Sequence, residues 1–355
     1  MNNKHVTIYD IAEKTGVSAV TVHRALSNKG RISEKTKNLI LQTAREMGYQ
    51  ANPAAQGLRR APIKIGAVLF CPVDEYVNDI IQGISDGAAD LVKYNVSVDI
   101  IKIEHTSNLE AQQKMLGHLR HFSEENYNGV LIFSSSFVDE TEELTAIINE
   151  LSDKGISIAT VANEIPNTPC VLHVGIDARM AGRMAAQMLE MACPRKEIAL
   201  LSASKSSAVD HEYMQGFLDY AGDHTFENIS IYEHFDIHTK IQPVVEQMLT
   251  ENPNLAGVYM STASSALACQ YIQQAKRDDL FIVTTDILSE TPGLLKDKIA
   301  NATIYQLPYR QGKVAIRNLY NHLVNVPCNS IQLLLPQIVL ESNVDFVGKD
   351  KISYT

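Results

Sequence analysis

Apolar positions follow two different rhythms along the 355-residue chain. Over the first fifty residues they recur at helical spacing in three short blocks. Thr7 is an N-cap for a helix carrying Ile8, Ile11 and Ala12, Asp10 completes a capping-box-like pair, and Gly16 supplies the left-handed stop. Ser18 caps a second block, Ala19–Leu26. Ser33 caps a third, which presents Leu39, Ile40, Ala44 and Met47 on one side and stops at Gly48. Two helices of about eight residues joined by a tight glycine turn make the helix-turn-helix pattern. After them, Asn52 and Pro53 can start one more helix, too short and too weakened by Gly57 to hold by itself. It ends in Leu58-Arg59-Arg60, and is either a hinge that becomes helical on DNA or an ordinary linker.

From Ile63 the rhythm changes to strand alternating with helix. Strands are predicted at Ile63–Phe70, Val98–Ile103, Gly129–Phe133, Ile156–Val161, Val171–Val174, Ile198–Leu201, Ile229–Tyr232, Gly257–Met260, Phe281–Thr285 and Ala302–Tyr305. Amphipathic helices fill most gaps, including stretches near 109–122 and 140–153. Repeated β-α units imply parallel sheets covered on both faces, and there are too many for one sheet. The fold class is therefore α/β: a three-helix head on a body of two Rossmann-like lobes. The predicted divisions are a head over 1–51, a hinge or linker over 52–62, and a ligand-binding body over 63–355. Within the body, lobe 1 takes about 63–164 and 308–336, and lobe 2 about 165–306 and 337–347.

Ligands in such sheets bind at the carboxyl ends of the strands. The loops there carry Asp74 and Tyr76, Glu104 and His105, Ser134–Ser136, Asn163 and Glu164, Lys205, Asp210 and Tyr213, Thr262 and Ser264, Asp286, and Gln306. Together they make a polar cleft suited to a hydroxyl-rich molecule. Asp286 can accept two hydroxyl hydrogens, and Gln306 can both donate and accept. Asp286 could instead cap a helix starting near Ser289.

Charge sharpens this division. Residues 1–62 hold ten Lys/Arg and four Asp/Glu, a balance of +6, which leaves −16 on the remainder of a chain whose total is −10. A basic head on an acidic body suits one end that meets phosphates and another that does not. Five scattered cysteines with no C-x-x-C spacing fit reduced thiols rather than a zinc site or a disulfide framework. The N-terminus lacks an apolar signal core and no apolar run approaches a membrane span, so the expected compartment is the cytoplasm, with no membrane partner. No phosphate loop, H-E-x-x-H, G-x-S-x-G or dinucleotide glycine loop is present, and Gly83 and Gly87 have helical spacing. The expectation is no enzyme, no cofactor and no metal.

The run Val6–Ala12, then Gly16-Val17-Ser18, Thr21-Val22, Arg24-Ala25-Leu26, Gly48-Tyr49 and Asn52-Pro53 closely resembles the head of the lactose/galactose-repressor (LacI/GalR) family. The body resembles the type I periplasmic sugar-binding fold of the same family through Gly175-Ile176-Asp177 with Gly182, Thr284-Thr285-Asp286, and Gln306-Leu307-Pro308 with Gln311-Gly312. The resemblance implies that the second helix lies in the major groove, with Ala19, Val20 and Arg24 at base-reading positions, while the hinge pushes Leu58 into the minor groove. Thr7, Ser18, Thr21, His23, Asn28 and Arg59 complete the implied DNA-contact set. His23 departs from the family's usual serine, so operator choice cannot be copied from a relative.

The resemblance also places Asp286 and Gln306 on effector-contacting positions, with Asn163 near a third; Tyr76, Ser134 and Tyr213 complete the candidate site. Tyr213 stands where the family usually has arginine, three residues before Gly216-Phe217, and Thr262-Ala263 replaces a usual Asn-Asp pair. The implied protein is a sequence-specific DNA-binding transcriptional regulator, a repressor of carbohydrate-related genes. A small sugar or polyol, expected to be neutral, would control it, and a homodimer would bind a palindromic operator. The alternative is a regulator with a non-sugar effector or a protein co-regulator. Only about fifteen residues follow Val339–Leu340, without leucine heptads, so a dimer is expected rather than a coiled-coil tetramer.

Overall fold

The computed structural model describes residues 6–26, 32–47, 61–104, 106–134, 142–194, 196–203, 207–223, 226–235 and 237–347. Apart from Lys93–Asn95, the chain divides into compact units at Pro62/Ile63.

Among its described residues the head unit holds three helices, α1 (Ile8–Thr15), α2 (Ala19–Leu26) and α3 (Glu34–Glu46). Each begins where a hydroxyl can satisfy an otherwise unpaired N–H. Thr7 Oγ1 accepts from the Asp10 N–H at 3.4 Å, and Asp10 Oδ2 accepts from the Thr7 N–H at 2.7 Å. Ser18 Oγ accepts from the Thr21 N–H, and Ser33 Oγ from the Thr36 N–H, both at 3.2 Å. Gly16 ends α1 with φ of +69°, a conformation glycine adopts without a Cβ penalty. Ile11, Val22, Ala25, Ile40 and Ala44 form the buried core, with Met47 packed at its edge. Leu39, expected on the packed side, is 48% exposed. One residue from Ile40 is a turn of about 100° on a helix, so only one of the two can face the core.

The body contains two six-stranded sheets. Sheet one takes β1 (Ile63–Leu69), β2 (Val96–Lys102), β3 (Gly129–Phe133), β4 (Ser157–Val161), β5 (Leu172–Ile176) and β11 (Ile331–Leu334). Sheet two takes β6 (Glu197–Ser202), β7 (Asn228–Glu233), β8 (Leu255–Ser261), β9 (Phe281–Thr285), β10 (Ala302–Tyr305) and β12 (Gln337–Val339). Their spatial orders are β11-β5-β4-β3-β1-β2 and β12-β10-β9-β8-β6-β7. Every neighbouring pair is parallel except β10 with β12.

The predicted lobe boundary needs correction at β5. The strand predicted at Val171–Val174 was expected to open lobe 2, but it pairs with β4 and β11 in sheet one. No helix separates β4 from β5, so the sequence offers no sign of where the chain changes lobe. The chain crosses after β5 at Asp177, again at Gln306–Leu307 after β10, and a third time between β11 and β12. β11 and β12 themselves were not foreseen as strands: they are four and three residues long, with apolar side chains left exposed.

Two helix pairs set the frame for the cleft. In lobe 1, α4 (Asp74–Leu91) packs on α12 (Pro308–Leu323), and in lobe 2, α7 (Ala178–Ala192) packs on α8 (Ala208–Asp223). Both contacts are backbone to backbone. A Cβ at Gly83 would fall 1.9 Å from the Tyr309 carbonyl oxygen, and one at Gly312 2.2 Å from that of Ile80. In lobe 2, Gly182 and Gly216 are in the same position against Tyr213 and Arg179, at 2.0 and 1.9 Å. The glycines thus fix the depth at which α4 presents Tyr76 and α8 presents Tyr213. Gly83→Ala is expected to lower stability by about 1–3 kcal/mol, the usual cost of overpacking. Gly117→Ala, on α5 (Asn108–Glu124) with open space around it, should be neutral or slightly stabilising. Thermal melts of the two variants check this, and equal shifts would discard the close-packing account.

Candidate functional site

In the head, Val22 and Ala25 pin α2 to the core. That turns Val20, 60% exposed, together with His23 and Arg24, toward solvent, with Ala19 and Thr21 half-buried at the start of the same helix. A convex helix with an apolar methyl patch, an imidazole and a guanidinium can enter a major groove, where methyl groups and acceptor pairs are the readable features. The Thr7 and Ser18 hydroxyls both act in helix caps at the head's exposed surface. Asn28, Leu58 and Arg59, and most of the proposed hinge, lie outside the described residues.

In the body, the two lobes enclose a cavity of about 510 Å³ at the carboxyl ends of both sheets. Tyr76, Asn163, Tyr213, Asp286 and Gln306 all line it. Ser134 does not: it is buried behind the wall, where its carbonyl accepts a hydrogen bond from Asn163 Nδ2 at 2.9 Å. Its part is to orient Asn163, because β3 ends at Phe133 and it is the Phe133 ring that faces the cavity. Among the other loop positions, Asp210, Thr262 and Ser264 line the cavity, whereas His105, Ser135, Ser136 and Lys205 lie outside the described residues. Cys71, His238 and Ser261 also line it and were not foreseen. Their common signal is position: each sits at or just beyond a strand end, or at the start of the helix that follows.

The densest polar contact of the cavity lies at the second crossover. Asp286 follows β9 in the left-handed region at φ of +67° and is only 6% exposed. Its Oδ2 accepts from Gln306 Nε2 at 2.7 Å and its Oδ1 from the Gln306 N–H at 3.3 Å. Tyr76, from lobe 1, donates its hydroxyl hydrogen to Gln306 Oε1 at 3.4 Å and accepts from Gln311 Nε2 at 3.2 Å. A hydrogen-bonded chain therefore runs from lobe 2 through the crossover to lobe 1. The carboxylate of Asp286 caps no helix; the residue before α11 (Thr291–Lys296) is Glu290. Burial raises the Asp286 carboxyl to about 7, against the opposing effect of the two Gln306 donors, and nearby Asp79 raises it further. Burial also lifts the Tyr76 and Tyr213 phenols well above their ordinary range.

A second polar group lies at the lobe 2 strand ends. His234 Nε2 meets Thr262 Oγ1 at 3.0 Å, and burial lowers this imidazole to about 4. Tyr213 and Ser261 line the cavity, and their buried hydroxyls have no hydrogen-bond partner among the described residues. Native interiors leave few such groups unpaired, so these are positions where a bound molecule gains most.

Residues 7–52 match the model for bacterial regulatory proteins, lacI family, and residues 65–325 match the periplasmic binding protein domain. The chain belongs to the lacI family of bacterial regulatory proteins. The HTH-type transcriptional regulator pepR1 of Lactobacillus delbrueckii subsp. lactis is 22% identical over 339 residues, spanning 95% of this chain and 96% of that protein. The ribose operon repressor of Halalkalibacterium halodurans is 24% identical over 336 residues, spanning 93% and 94%. Among solved structures, GanP, a glucose-galactose binding protein from Geobacillus stearothermophilus, superposes with a TM-score of 0.69 at 20% identity. It covers 80% of this chain and 99% of its own, a likeness of fold. The family head and body together make this lacI-family protein a DNA-binding transcriptional regulator. Among its described residues no helix is long and apolar enough to cross a membrane, and no group of acidic, His and Cys side chains is arranged to hold a metal.

Proposed function

We propose that this lacI-family regulator represses carbohydrate-related genes and that a small sugar or polyol, bound in the interlobe cavity, sets its affinity for the operator. The observation carrying this reading is the Asp286–Gln306–Tyr76 chain, which joins both lobes at one crossover and lines the cavity. A ligand bonded to all three side chains interacts differently with open and closed arrangements of the lobes. Only such a difference can move a conformational equilibrium. The names of the ribose operon repressor and the glucose-galactose binding protein support the sugar class. A thermal-shift screen of the full-length protein against monosaccharides, polyols and sugar phosphates tests it. A hit whose stabilisation is lost in Gln306→Ala supports the reading. No hit in any class refutes it and turns attention to a nucleobase or a protein co-regulator.

The protein would bind as a homodimer to a palindrome of two half-sites, since protein two-fold symmetry is mirrored in the DNA. Ala19 and Val20 would favour thymine methyls, Arg24 would fork onto guanine, and Leu58 would wedge into the minor groove between the half-sites. Arg24→Ala should cost about 1–3 kcal/mol on an operator selected from random duplexes and far less on unselected DNA. Binding titrations on both DNAs decide the matter: equal losses would reduce Arg24 to a phosphate contact.

A further inference from the structure

The cavity combines one deeply buried carboxyl, aromatic rings and unused hydroxyls. Among the described residues, Asp286 receives its hydrogen bonds from the uncharged amide donors of Gln306. The ionisable groups acting on it and on the tyrosines around it are Cys71 beyond β1, Asp79 and Tyr76 on α4, Asp210 and Tyr213 on α8, Tyr259 on β8 and Tyr305 on β10. Every one of them is an acid. His238 lines the cavity as well, while no lysine or arginine does so among the described residues. Among the described residues no lysine or arginine neutralises this buried carboxylate, and a proton or a ligand can supply positive charge there. Tyr76, Phe133 and Tyr213 line the same space. The Tyr76 and Phe133 rings lie 6.0 Å apart and tilted by 59°, and aromatic rings at a cavity wall suit a cation better than an anion. Tyr213, 3% exposed, and Ser261 also line this space, and their buried hydroxyls have no hydrogen-bond partner among the described residues. Both can take up ligand hydroxyls or accept from an ammonium.

Resting on the sugar reading above, we infer that the effector is an amino sugar or amino polyol whose protonated amine pairs with Asp286. The ammonium forms a charge-assisted bond to the carboxylate, while the remaining hydroxyls meet Gln306, Asn163 and the orphan hydroxyls of Tyr213 and Ser261. Sugar acids and sugar phosphates are disfavoured wherever their anion would approach Asp286, because like charges in a poorly solvated site repel strongly.

The test is calorimetry on the full-length protein at pH 8 with matched probes: hexosamines and amino-hexitols, their parent hexoses and hexitols, and the N-acetylated hexosamines as uncharged controls. The inference expects one amino probe to bind at least about tenfold more tightly than its parent and its N-acetyl form, the size of one charge-assisted bond. Asp286→Asn should erase that preference, with retained operator binding and a cooperative melt showing that the variant is folded. Tyr213→Phe should weaken the same probe while leaving its preference over the parent in place. A parent sugar binding as tightly as its amino counterpart overturns the amine assignment and leaves the sugar reading standing. If no probe of any kind binds, both fall together.

Discussion

Replacing Asp286 with asparagine is expected to raise the melting temperature of the ligand-free protein at pH 8 by several degrees and to change it little near pH 4. The carboxyl is raised from an ordinary value of 3.8 to about 7, chiefly because burial penalises its charged form. Between those two values the folded state holds a proton that the unfolded chain has released. Stability from the neutral acid is therefore fully present below about 4 and is lost as pH rises through about 7. A displacement of this size corresponds to roughly 4 kcal/mol at pH 8, as an order of magnitude. Asparagine carries no such cost, and its amide can still meet the Gln306 side chain once that amide is flipped. Melts across pH 4–8 test this: wild type should lose stability relative to the variant with rising pH. A variant less stable than wild type at pH 8 would show that Asp286 is held ionised by a partner, and the assignment of its burial would be wrong.

Ile40→Ala is expected to abolish operator binding while leaving the body folded. Among the described residues the head core holds Ile11, Val22, Ala25, Ile40 and Ala44, all buried. Ile40 is completely buried within it. Truncating a buried isoleucine costs roughly 2–5 kcal/mol, and a domain of about fifty residues has little more than that to lose. Operator affinity should fall by at least about a hundredfold, the equivalent of a little under 3 kcal/mol. The main thermal transition of the body should be unchanged. Leu39→Ala, one residue away and half exposed, is the control and should stay within about 0.5 kcal/mol of wild type. Near-normal operator binding by Ile40→Ala would mean that the three helices do not depend on this core.

Local chemistry was what the sequence displayed best. The caps at Thr7, Ser18 and Ser33 and the stop at Gly16 fall where their hydrogen-bonding side chains and the positive φ require. Three strands, Gly129–Phe133, Phe281–Thr285 and Ala302–Tyr305, have the predicted limits, and each is a fully or nearly buried run that meets a polar residue at its carboxyl end. Decisions made by distant partners were not legible. β5 joins sheet one because β4 and β11 satisfy its two edges, and β11 lies more than 150 residues away in sequence. The same limit applies to the site. Asp286 and Gln306 were visible as polar residues at strand ends, but their mutual contact depends on β9 and β10 being neighbours. Ser134 looked like a lining residue for the same reason, yet the pleat turns Phe133 into the cavity and leaves Ser134 behind it. The orphan hydroxyl of Tyr213 could not be foreseen at all, since an unpaired group is defined only by its surroundings.

A molecule held at Asp286 and Gln306 is expected to change how the head binds DNA. The most direct measurement is operator titration of the full-length protein, with and without a saturating probe already shown to bind by calorimetry, for wild type and for Asp286→Ala. The expected result is a shift of at least about tenfold in wild-type operator affinity, a coupling near 1.4 kcal/mol, with none in Asp286→Ala and equal ligand-free affinities for the two proteins. A probe that saturates the wild-type cavity and leaves operator affinity unchanged would contradict it.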